Sequence, residues 1–197
     1  MSCNHINAPT FIRLVVDAIT LATGIYGIYA QAMIYRIKAR PSWDRITTNL
    51  KFFGVSYVGA FLLAFVAILF DLDDIATPLI SLGMIGAMAQ LFFSYEDIRS
   101  LHNADKDSYQ LKRTARLYDE NFANVKKFRF ISIIIAGLFL PLIVNMLLGS
   151  GMIVGASIIL ALSLILMFVS ELSDRFLFYS TVVPLGMAGG FFVGKQR

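Results

Sequence analysis

The chain has 197 residues, of which 57% are hydrophobic and only 15% are Asp, Glu, Lys or Arg, and its mean hydropathy is +0.71. That is too apolar for a water-solvated surface and reads as an integral membrane protein. The net charge of +4 does not argue for nucleic acid as a partner, because the basic residues fall between apolar runs, where topology determinants sit.

Residues 1–13 lack the basic start and small-residue cleavage site of a signal peptide, and Pro9 followed by Thr10 reads as a polar lead-in to a helix. The first apolar run, residues 14–35, carries one charge, Asp17. It is long enough to cross a hydrocarbon core of about 30 Å. Arg13 precedes Asp17 by one helical turn, so a local ion pair can neutralise it. Runs 52–70 and 75–95 are free of charge and separated only by Asp71, Leu72, Asp73 and Asp74, which predicts a tight transmembrane hairpin. A second hairpin, 130–148 and 152–170, turns at Gly149, Ser150 and Gly151. The last run is 176–194. The expectation is an all-α integral membrane protein, one domain over residues 1–197, built as a bundle of about six spans. A β-barrel would alternate apolar and polar over about 10 residues, whereas these runs are continuous over roughly twice that.

Loops 36–51, 96–129 and 171–175 hold 14 of the 17 Lys and Arg residues, leaving 3 for the other side. The positive-inside rule puts those three loops in the cytoplasm and both termini outside it. Within 96–129, Tyr118, Phe122 and Val125 lie at helical spacing opposite Lys112, Arg113, Arg116 and Lys126. That pattern suits either a short helix on the headgroups or a cytoplasmic extension of the fourth span. Gly83 with Ala87, and the stripe Gly186, Gly190 and Gly194, predict close helix contacts.

Little in the inventory speaks of chemistry. Cys3 is the only cysteine, so no intrachain disulfide and no cysteine-rich metal site can form. His5 and His102 lie outside the apolar runs, which excludes a bis-histidine haem within the bilayer. No phosphate loop, nucleophile elbow or metal motif is present, so the chain reads as non-catalytic with no cofactor bound within it. The remaining candidates are ionisable groups near membrane depth. Glu171 and Arg175 are four residues apart on one helix face, and the expectation is an ion pair at the cytoplasmic boundary. Asn145 suits a bond to a neighbouring helix, and Trp43 with Tyr35 suits the interfacial aromatic belt.

Two separated blocks carry a resemblance. The first ends a span with Ala32, Met33, Ile34 and Tyr35, continues through Arg40, Pro41, Trp43 and Thr48, and opens the next with Phe52, Phe53 and Gly54. The second is Glu171, Arg175, Leu177, Phe178, Tyr179, Pro184 and Met187. Together they resemble the membrane anchor subunit of dimethyl sulfoxide reductase and its relatives, over nearly the whole chain. Two features depart from that pattern. Asp174 stands where relatives usually carry glycine, an extra acid that can compete with Glu171 for Arg175. The helices that precede the Arg-Pro-x-Trp loop in the family, with the histidine and acid associated with menaquinol there, have no counterpart, so the chain is expected to correspond to the C-terminal part of such an anchor.

The resemblance implies a haem-free anchor in the cell inner membrane. It would hold a molybdopterin catalytic subunit and an iron–sulfur subunit and pass electrons between the quinol pool and the nearest cluster, with menaquinone met only through the complex. In the family the iron–sulfur subunit commonly docks on the outer face, which makes Glu171 and Arg175 a structural clasp rather than a quinol site. The alternatives are a small multi-span transporter and a scaffold without quinol contact. A transporter favours broken helices and polar midplanes, and these midplanes are almost bare.

Overall fold

A computed structural model describes residues 10–103 and 109–183. Among these residues there is no strand, and the helices are α1 (Thr10–Tyr35), α2 (Ile46–Gly54), α3 (Ser56–Leu69), α4 (Asp73–His102), α5 (Tyr109–Arg116), α6 (Ala123–Ile134), α7 (Leu140–Gly149) and α8 (Ile153–Ser180). Wider π-helical turns lie at Leu117–Asn121 and Ile135–Phe139. Among the described residues, five stretches are long and apolar enough to cross a membrane: α1, Ile46–Leu69, α4, Ala123–Gly149 and α8. The all-α membrane bundle is therefore the observed class.

The boundaries differ from the expected ones in one consistent way. Each span after α1 outruns its apolar window at the end rich in Lys and Arg, here termed the basic end. The expected loop 171–175 is no loop, because α8 continues unbroken through it to Ser180. Phe176, where a sixth span was expected to begin, is thus in the last turns of α8. Residues 184–194 of that expected span, with Pro184 and the glycines at 186, 190 and 194, lie outside the described residues.

Tight turns at the opposite, acidic end make the two hairpins. Asp71 adopts φ 55°, a left-handed conformation that a short polar side chain tolerates, and Gly151 adopts φ 76°, which glycine meets without steric cost. The hairpins pack through α3 against α8, and through α4 against the π turn. That turn sits just before Pro141, which has no N–H to continue the regular ladder. Ser163 of α8 donates to the Ala136 carbonyl at 2.5 Å, so a polar group of the widened turn is satisfied inside the bundle.

The core is lined by Phe61, Ile80, Ile133, Val144, Leu160 and Met167, with alanines at 64, 76, 87, 136 and 156 between them. Lipid adds no hydrophobic drive between spans, so close approach of small residues matters more than bulk. A Cβ on Gly83 would lie 2.8 Å from the Phe61 ring, one on Gly86 would lie 2.5 Å from the Tyr57 Cβ, and one on Gly137 would lie 2.7 Å from the Ala87 Cβ. Gly83 and Ala87 are therefore close-contact residues, as their spacing suggested. In contrast α1 stands apart, with Ala32 its only buried residue.

The segment after α4 folds onto the bundle rather than lying on headgroups. Ala115, Tyr118, Leu101 and Leu177 form a second buried cluster, with Leu111, Phe122 and Val125 against it, and Thr114 donates to the Thr181 carbonyl at 3.0 Å. Asp119 accepts from Lys126 at 2.5 Å and meets the His102 ring at 2.7 Å. Those two contacts, Lys126 foremost, hold its carboxyl below the usual range.

Gly86→Ala should lower the thermal midpoint of the purified protein in detergent, by about 1–3 kcal/mol of overpacking, because Tyr57 crowds the new methyl with its backbone as well as its side chain. Gly59→Ala, with nothing within 4 Å, should leave the midpoint unchanged or raise it. Equal responses at the two sites would remove the close-packing account.

Candidate functional site

The buried face of α8 reads Ala156, Leu160, Ser163, Met167, Ser170, Glu171, Asp174, Leu177 and Phe178. Its steps alternate four and three residues as far as Ser170, and the stripe then widens to the adjacent pairs 170/171 and 177/178. Its chemistry changes along the way, from apolar to acidic, so the stripe that packs the core also carries two carboxylates into the basic end.

Asp174 meets two cations there. Its Oδ1 is 2.8 Å from Arg129 Nη1 of α6 and 3.2 Å from Lys51 Nζ of α2. Lys51 reaches on to Asp97 Oδ2 of α4 at 3.0 Å. Asp97 in turn accepts from Arg45 at 3.0 Å and from the Thr47 hydroxyl at 2.7 Å, and Arg45 also reaches Ser100. All four central residues, Lys51, Asp97, Arg129 and Asp174, are buried. One charge network therefore ties α2, α4, α6 and α8 together. Tyr118 lines its margin, and burial pushes that phenol up. The remaining space among Ser42, Lys51, Asp97, Thr114 and Tyr118 is about 10 Å³, room for no more than a water.

Glu171 and Arg175 do not pair. The Tyr57 hydroxyl of α3 donates to Glu171 Oε1 at 3.0 Å, and Arg175 lies with its guanidinium carbon 4.1 Å from the centre of the Phe52 ring. Residues 171 and 175 share a helix face as expected, but long-range partners displaced the local one. Glu171 Oε2 and Arg129 Nε and Nη2 are buried without a hydrogen-bond partner. Asp17 stands on the exposed stretch of α1.

The motif positions come together beside the network. The Trp43 ring stacks on Phe178 at 4.9 Å and 5°, its N–H donates to the Phe178 carbonyl at 3.0 Å, and Arg40 covers its other side at 4.2 Å. Tyr35 stacks on Phe52 at 5.4 Å, and Tyr179 donates to the Tyr35 hydroxyl at 2.9 Å. Trp43 is thus a buried lock between the loop and α8, not a member of an interfacial belt. Pro41 lies in the turn between Arg40 and Trp43. Phe53 and Gly54 sit elsewhere, on a cleft of about 330 Å³ between α3 and α4 that Tyr57 and Phe93 also line. A Cβ on Gly54 would run into the end of the buried Gln90 side chain, which would have to swing aside.

Sequence reasoning missed Lys51, Tyr57, Asp97 and Arg129. Lys51 and Arg129 were counted as loop charges that set topology, and Asp97 fell in the loop 96–129. The usable signal was that each lies within about a turn of an apolar run, at the same end of its span. Among the described residues, no group of three His, Cys, Asp or Glu side chains gathers to hold a metal ion.

Asp174→Asn should lower folded yield and thermal midpoint sharply, by about 3–5 kcal/mol, since two buried cations lose their shared partner. Glu96→Gln, in an exposed pair with Arg99 at 3.0 Å, should change them by about 0.2–1 kcal/mol. Fluorescence-detected size exclusion of both variants after graded heating measures this; similar losses would show that the network is not what holds the four helices.

Neither the curated proteins nor the solved structures contain a match to this chain. A family model described as DMSO reductase anchor subunit (DmsC) matches residues 4–181, a range that includes both motif blocks through Thr181 and the whole charge network. The chain belongs to the DMSO reductase anchor subunit family.

Proposed function

We propose that this chain holds a molybdopterin catalytic subunit and an iron–sulfur subunit at the cell inner membrane and supports electron transfer between menaquinol and the nearest cluster. Family membership across residues 4–181 is the observation that carries the reading. The 14 to 3 distribution of Lys and Arg supports a cytoplasmic basic end and termini on the other side. In this reading the chain binds no cofactor of its own, and menaquinone is met through the complex.

Within that role the charge network and the Trp43 lock are structural. They fix α2, α4, α6 and α8 relative to one another, so that the surface offered to the partner subunits is rigid. A buried network of this kind is costly to break from one side, which suits a part whose task is to hold position. Glu171, Arg175 and the motif residues Arg40, Pro41, Trp43 and Tyr179 then serve assembly.

One observation favours a second role for Glu171. Tyr57 lines the α3–α4 cleft and donates to Glu171, whose other oxygen has no partner, and the cleft is within the size range of small-molecule sites, about 300–1,000 Å³. A quinol ring there would find a proton path of two side chains. The two roles separate in Glu171→Gln. With the structural role, the amount of assembled complex falls, while menaquinol oxidation per complex, normalised to viologen-driven turnover, stays within about twofold. With the proton role, assembly is normal and menaquinol oxidation falls by about 10²-fold or more. Failure of the chain to co-purify with any cysteine-rich iron–sulfur subunit would overturn the anchor function itself.

A further inference from the structure

Away from the charge network, α4 and α6 part towards the basic end and leave a second cleft, of about 480 Å³. Its floor is Tyr95, Ile98, Phe130 and Ile131, and the exposed Tyr95 and Ile131 continue the lipid-facing surface of their spans. Cations stand at its rim. Lys126 and His102 are both committed to Asp119, at 2.5 and 2.7 Å. Arg99 shares one nitrogen with Glu96 at 3.0 Å, which leaves most of its five donors available. Lys127 is exposed and, among the described residues, has no carboxylate at ion-pair distance.

We propose that this cleft binds one anionic phospholipid, with its phosphate between Arg99 and Lys127 and an acyl chain along Ile98, Phe130 and Ile131. The argument is complementarity of two kinds at one depth. Basic side chains at the ends of spans attract acidic headgroups, and an apolar floor opening sideways into hydrocarbon suits a chain that never leaves the bilayer. A soluble anion would leave that floor bare. A zwitterionic lipid would gain less, because its added cation would meet the same basic rim. The site stands on other residues than the electron-transfer reading, so neither depends on the other.

Native mass spectrometry of the full chain tests this, after release from nanodiscs of equal phosphatidylglycerol and phosphatidylcholine. The wild-type chain should retain one phosphatidylglycerol in preference to phosphatidylcholine. Arg99→Gln with Lys127→Gln should lower that occupancy roughly twentyfold, about fivefold for each cation removed. Lys112→Gln with Arg113→Gln, an equal charge loss on exposed residues of α5, should leave it unchanged. Where the first pair fails to fold, Lys127→Gln alone should still give the fivefold loss. Equal retention of the two lipids, wild-type occupancy in Lys127→Gln, or displacement by excess inorganic phosphate would overturn the assignment.

Discussion

A single carboxylate shared by two cations sets the architecture of the basic end. Asp174 is held by Arg129 and Lys51, and Lys51 carries the contact on to Asp97. Charges removed from water are tolerated only when paired and hydrogen-bonded, so these groups cannot be satisfied unless four helices arrive at fixed depth and rotation. Arg45, Lys51 and Arg129 face Asp97, Asp174 and Glu171 in comparable number. The cluster therefore acts as a register device: sliding α2 or α8 by a turn would leave opposite charges unpaired on two other helices, and sliding α4 or α6 would do so on one.

The aromatic lock is the consequence next to it. Because Arg45 is fixed to Asp97, the loop before it must turn inwards, and Trp43 then lies flat on Phe178. Its indole N–H takes a carbonyl near the end of α8, one of the last-turn acceptors that a helix leaves open. Thr48 donates back to the Trp43 carbonyl at 2.8 Å, so the loop is pinned from both sides. Arg40 and Arg175 cover the outer faces of Trp43 and Phe52, where a guanidinium can stack without losing its water.

Much of the fold was legible because continuous apolar runs admit few readings. The helical class, the two hairpins and their turns follow from run length and from Asp71 and Gly151. The ends of the helices were not legible, because a hydropathy window closes at the first charge, whether or not that charge is solvated. Lys51 and Arg129 each close such a window, Asp97 lies one residue beyond the Glu96 that closes a third, and all three are buried. Nothing local distinguishes them from topology charges, since their burial is decided by three other helices. Glu171 and Arg175 erred in the other direction: helical spacing predicted a local pair, and Tyr57 and Phe52 offered better long-range partners. Asp174, read as a departure from the family pattern, became the centre of the network for the same reason.

The two ends of the bundle are consequently unlike. At the acidic end the hairpins are joined by turns, and among the described residues Asp71, Asp73 and Asp74 form no ion pair. At the basic end the helices are joined by charge, aromatic stacking and the α5 segment. Helix α1 depends wholly on the second kind of contact. Ala32 is its only buried residue, and Tyr35 holds it through Phe52, Trp43, Phe178 and Tyr179, while Gly24 and Gly27 meet nothing within 4 Å. Loss of the aromatic lock would therefore free α1 while leaving the α3, α4, α7 and α8 core packed, because that core shares no side chain with the lock except through the end of α8.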